Sequence, residues 1–103
     1  MQLDDTRREF AELVSVMADH PQGLWTATEL TDLSSRHGLL KLELGEGSVR
    51  SQATRIGVIA GRFVAERFEL AGGRTAIFRR SEDRNGKLYR VEVVEIGGVL
   101  RNV

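Results

Sequence analysis

Apart from a brief alternation of leucines over 40–44, the hydrophobic period of this chain changes once. Up to about residue 64 apolar residues recur every three or four positions, and from Phe68 onward they alternate with polar ones. A period near 3.6 specifies helices with one buried stripe, and a period of 2 specifies strands with one buried face. The chain is therefore expected to lay down helices first and a β-hairpin last. That order predicts the α+β class, and 103 residues supply material for one core. A single domain over residues 1–103 follows, with its core over about 5–95.

Phe10, Leu13, Val14 and Met17 form one apolar stripe of a helix over 5–19, with Thr6 and Glu9 at capping-box spacing and Pro21 ending it. A second helix is expected from Thr26, because Thr26 and Glu29 have capping-box spacing while Trp25 and Leu30 occupy the staple positions. It runs to about His37, where Gly38 supplies a left-handed exit. Between Leu39 and Gly47, the alternation of Leu40, Leu42 and Leu44 reads as a short strand or an extended loop. Gly45-Glu46-Gly47 lacks the spacing of a phosphate-binding loop and reads as a linker.

Ser48 is an N-cap candidate for a third helix reaching about Val64. Val49, Ala53, Ile56, Ile59, Ala60 and Phe63 share its inward arc, and Arg50, Ser51, Thr54, Arg55, Val58 and Arg62 share the outward one. No acid lies between Ser48 and Ala65. Gly57 and Gly61 cost helix propensity, about 1 kcal/mol each, and are expected where another backbone packs closely. Phe68 to Leu70 reads as a short strand, and Ala71 to Arg74 as a turn. Strands over 75–80 and 87–94 flank the loop 81–86, with Tyr89, Val91 and Val93 inward and Arg90 and Glu92 facing water. Gly97 to Val103 carries no assignable pattern.

Formal net charge is zero, yet its distribution is uneven. Residues 1–47 carry four bases against nine acids, a net of −5, and residues 48–103 carry eleven bases against six acids, a net of +5. One basic face is expected, although the split also lets the two halves attract each other. Cysteine is absent, which excludes disulfides, thiolate metal sites and cysteine nucleophiles. His20 and His37 are the only histidines, so neither a metal centre nor a cofactor is expected. No acid–base or nucleophile–base pair stands at a meaningful spacing, so the expectation is a protein that is not an enzyme. No apolar run approaches the roughly 20 residues of a membrane span and the start lacks a signal pattern, which predicts a cytoplasmic protein without a membrane partner.

Two helices, a basic third helix and a hairpin bearing Arg79, Arg80, Arg84 and Lys87 make the element order of a winged helix: a three-helix core with a C-terminal hairpin wing. A basic outward face alone is usually a solvated face; with this order and charge split it becomes a candidate surface for double-stranded DNA. Arg50, Ser51, Thr54 and Arg55 are the candidates at or near base edges, Arg62, Arg79, Arg80 and Lys87 those for phosphates, and Ser48 adds a hydroxyl at the helix start that suits a phosphate oxygen.

The stretch Trp25-Thr26-Ala27-Thr28-Glu29-Leu30, the helix over 48–63 and the hairpin from Gly73-Arg74-Thr75-Ala76-Ile77-Phe78-Arg79-Arg80 to Leu88-Tyr89-Arg90-Val91-Glu92 resemble the winged-helix modules associated with phage and plasmid primase-helicases. The resemblance implies DNA binding linked to replication or maintenance of such an element, as a monomer or a homodimer. A second class stays open: a protein-interaction winged helix acting as adaptor or inhibitor within a replication complex. The zero net charge and the acidic pair Glu82-Asp83 at the hairpin tip favour it.

Overall fold

A computed structural model describes residues 3–95. Among them four helices precede a three-stranded antiparallel sheet, the α+β class expected. The order is α1 (Leu3–Asp19), α2 (Ala27–Arg36), α3 (Lys41–Leu44), α4 (Val49–Arg62), β1 (Arg67–Glu69), a 3-10 turn (Ala71–Gly73), β2 (Arg74–Asp83) and β3 (Gly86–Glu95).

The stripe of α1 is buried as expected, with Phe10, Leu13, Val14 and Met17 all in the core. The Thr6/Glu9 capping box does not form, because α1 starts at Leu3 and Thr6 lies buried within it. Glu9 instead reaches across to α3, where its carboxylate accepts the backbone N–H of Leu40 at 2.8 Å. Leu40 adopts a left-handed conformation (φ 58°) and is fully buried, so this bond satisfies an N–H that water cannot reach. The stretch expected as a strand or loop is thus a one-turn helix. Leu40 and Leu44, four apart, go inward, while Leu42 is 82% exposed. Alternating leucines mimic a strand over so short a span.

The expected start of α2 forms in full. Glu29 N–H donates to the Thr26 hydroxyl, and the Glu29 carboxylate accepts the Thr26 N–H at 2.8 Å. Trp25 is buried and also pairs with β3, exchanging two backbone hydrogen bonds with Tyr89 of 2.9 and 2.8 Å. A single residue between α1 and α2 therefore ties the helical half to the sheet.

In α4 the inward arc holds for Ile56, Ile59 and Ala60, with Phe63 following as a buried C-cap; Val49 is 59% exposed instead, because the first turn projects beyond the core. The sheet order is β1-β2-β3, and the hairpin turn is shorter than expected, since pairing continues to Asp83 and Gly86. Asp83 shapes that turn by accepting the N–H of Asn85 at 2.7 Å, and Gly86 takes the positive φ (118°). All four phenylalanines meet under the sheet. Phe10 stacks on Phe63 with centroids 4.7 Å apart, meets Phe78 edge-on at 4.9 Å and Phe68 at 5.9 Å. Tyr89 and Val91 face this core, whereas Val93 is 36% exposed.

Candidate functional site

On α4, residues 50, 54, 58 and 62 are spaced by four, so Arg50, Thr54, Val58 and Arg62 make one ridge along the helix. All four are exposed, Val58 to 59%. Grooves flank the ridge. One of about 550 Å³ separates α4 from the hairpin and is lined by Thr54, Gly57, Gly61, Arg80, Lys87 and Tyr89, among others. The other, about 440 Å³, faces α1 and α3 and is lined by Thr6, Glu43, Arg55 and Ile59 along with ridge residues.

Gly57 and Gly61 are approached by side chains rather than by a backbone. A methyl on Gly57 would stand 3.7 Å from the Tyr89 hydroxyl, and one on Gly61 3.3 Å from the Arg80 guanidinium. The hairpin leans on α4 through these contacts, which closes one side of the groove.

The predicted site residues divide into groups. Strand parity separates Arg79 from Arg80: Arg80 shares the core-facing side with Phe78 and Tyr89, while Arg79 lies on the opposite side against Arg90. There Arg79 forms an ion pair with Glu92 at 3.4 Å, and Arg90 donates to the same carboxylate at 2.7 Å. The Arg90 hydrogen bond, with the charges of Arg79 and Arg90 behind it, holds the Glu92 carboxyl below its usual value. Arg79 is thus not part of the α4 surface.

Arg55 is exposed but turned toward the end of α3, where its guanidinium donates to the carbonyl of Leu44 and crosses Gly45. That helix end would otherwise hold unpaired carbonyls, so Arg55 joins α4 to α3. Gly45 has φ 66°, a conformation that favours glycine, and a Cβ there would push aside the tip of Arg55, 2.6 Å away. Ser48 caps α4 by accepting the N–H of Ser51. The Thr54 hydroxyl donates to the carbonyl of Arg50 at 3.1 Å, which leaves it an acceptor toward anything docked on the ridge.

Arg50, Arg62, Arg80, Arg84 and Lys87 make no side-chain hydrogen bond or ion pair among the described residues. Glu82 is the register partner of Lys87 on the same side, so one carboxylate borders this basic surface. Sequence reasoning left out the Tyr89 hydroxyl. Its signal was an aromatic residue with a polar tip, placed by strand parity beside Arg80 and opposite two glycines one turn apart. It also placed Glu43 nowhere, although both Glu43 carboxylate oxygens are shielded without a hydrogen-bond partner among the described residues.

Among the described residues, no group of three or more His, Asp or Glu side chains is placed to hold a metal ion, and no helix is long and apolar enough to cross a membrane. No family profile, curated protein or solved structure matches this chain.

Proposed function

We propose that this chain is a winged-helix domain that binds double-stranded DNA through α4 and the β2–β3 hairpin, without enzymatic activity. The observation that carries the reading is the α4 ridge with its neighbouring hairpin cations. Arg50, Arg62, Arg80 and Lys87 are exposed and unpaired on one surface, and α4 contains no acid. Cations with a structural role acquire partners, as the half-buried Arg79 does; cations left open beside a ridge can neutralise phosphates.

In this reading the ridge enters the major groove. Arg50 pairs with guanine edges or clamps phosphate, Thr54 accepts from base amino groups, and Val58 meets thymine methyl groups. Ser48 and Ser51 lie at the N-terminus of α4, where hydroxyls and the helix dipole favour phosphate oxygens. Arg62, Arg80 and Lys87 act on the backbone. Arg55 supports the α3–α4 corner, and Arg79 lies outside the contact surface. The Trp25–Tyr89 bridge supports the winged-helix assignment, since it places a strand position between the first two helices next to the hairpin. The link to phage or plasmid replication rests on the sequence resemblance alone.

Leu42, exposed to 82%, and Leu24, exposed to 50%, favour a second reading, an adaptor that docks on another protein. Fluorescence anisotropy with duplex and single-stranded probes over a range of salt separates the two. Neutralising about four to six phosphates gives a slope of log affinity against log salt near −4 to −5 for the duplex. Absence of a salt-dependent duplex signal overturns the DNA reading.

A further inference from the structure

The groove between α4 and the hairpin holds a polar group that packing does not explain and that stays open to whatever enters the groove. Tyr89 is 1% exposed, its ring stacked on Phe78 with centroids 5.7 Å apart and its backbone locked to Trp25. A phenylalanine would fill that position as well. Its hydroxyl nevertheless ends at the groove wall beside Gly57, and it makes no hydrogen bond among the described residues. The oxygen is not sealed from solvent, so water meets it in the free protein and a stronger acceptor can take that place. Gly57 and Gly61 keep the α4 wall bare where alanine would make a better helix. Arg80 and Lys87 supply positive charge along the hairpin wall.

A bare wall, one fixed donor and two exposed cations suit a compact anion. We propose that this groove is a phosphate-binding slot, in which the Tyr89 hydroxyl donates to one backbone phosphate of the bound DNA while Arg80 and Lys87 neutralise it. The proposal deepens the DNA-binding reading and rests on it. The slot fixes the register of the ridge on the duplex, because Tyr89 cannot follow a displaced phosphate whereas the surface arginines can.

The test uses the full chain and a fluorescein-labelled duplex of about two helical turns, titrated at several salt concentrations. Tyr89→Phe is expected to bind about tenfold more weakly, the loss of one hydrogen bond to a charged group, with the salt slope unchanged because no charge is removed. Lys87→Gln is expected to lower the slope by about 1. Gly57→Ala fits sterically at 3.7 Å from the hydroxyl and should raise the melting temperature while weakening binding, a combination that a folding defect cannot produce. Replacing phosphates one at a time by uncharged methylphosphonates should reveal one position that matters for the wild type and not for Tyr89→Phe. If the wild type binds duplex with a salt slope but Tyr89→Phe and Gly57→Ala bind as tightly, the slot is overturned and the DNA reading stands. If the wild type binds no duplex, both fall. Should Tyr89→Phe fail to fold, the result for Gly57→Ala decides.

Discussion

The cations of two regions of this molecule live differently. Where α1 meets β1, Arg7 forms an ion pair with Glu66 at 2.7 Å, donates to the carbonyl of Arg67, and lies over the Phe68 ring at 4.7 Å. Arg74 reaches Asp19 at the other end of α1, and Arg79 and Arg90 share Glu92 on the outer side of the sheet. Where α4 meets the hairpin, Arg50, Arg62, Arg80 and Lys87 have no such partners among the described residues. The basic excess of the second half is therefore two populations. One is spent on cohesion, and the other, Arg67 of β1 included, has no side-chain partner among the described residues; its α4 and hairpin members are the ones the proposed reading assigns to DNA.

The largest effect that could break this contrast belongs to the aromatic region. Phe10 is fully buried at the centre of the four-phenylalanine cluster, so Phe10→Ala should cost about 3–5 kcal/mol in chemical denaturation, a large share of what a domain of this size possesses. A loss below about 1 kcal/mol would mean that the rings do not form the core.

Charge removal sharpens the contrast next. Arg50→Ala with Arg62→Ala should lower the salt slope of duplex binding by about 2 while shifting stability by less than about 0.5 kcal/mol. Arg7→Ala should do the reverse, costing about 1 kcal/mol of stability with binding unchanged. Equal effects of both variants on binding would erase the distinction between the two regions.

Glu9→Ala comes third, since it strips the buried N–H of Leu40 of its acceptor. It should cost about 1–3 kcal/mol, with amide exchange accelerated around α3 first. Unchanged exchange there would show that α3 is held by its leucines alone.

Much of this was legible beforehand, and the failures have physical reasons. The helical stripes, the Thr26 capping box and the alternation of the hairpin are local patterns, and each forms. The one-turn α3 was not legible, because its decisive contact comes from Glu9, 31 positions away. The partner of Arg55 was hidden for the same reason: helical parity puts Arg55 outward, as found, but the carbonyl it donates to belongs to a helix the pattern did not reveal. Arg79 and Arg80 could have been separated by counting strand positions. That Arg79 would be neutralised depended on the cross-strand register with Glu92, which the hairpin turn sets.

The smallest expected effect tests whether the rim of the hairpin groove responds to acid. The Thr26 N–H bond to the Glu29 carboxylate holds that carboxyl below its usual 4.5, assisted by the side chains of Gln22 and Thr26 and opposed by slight desolvation. A carboxyl lowered in the folded state adds stability above the unfolded value and loses it as pH falls through the folded one. Glu29 is exposed, so water screens the effect to about 0.5 kcal/mol. Because α2 begins at Ala27 on the rim of the hairpin groove, loosening should start there. Glu29→Gln retains an acceptor for the capping box, and its stability should fall less than that of the wild type between pH 5 and 3, roughly the carboxylate range. Parallel curves for the two proteins would show that the ionised carboxylate adds nothing to the start of α2.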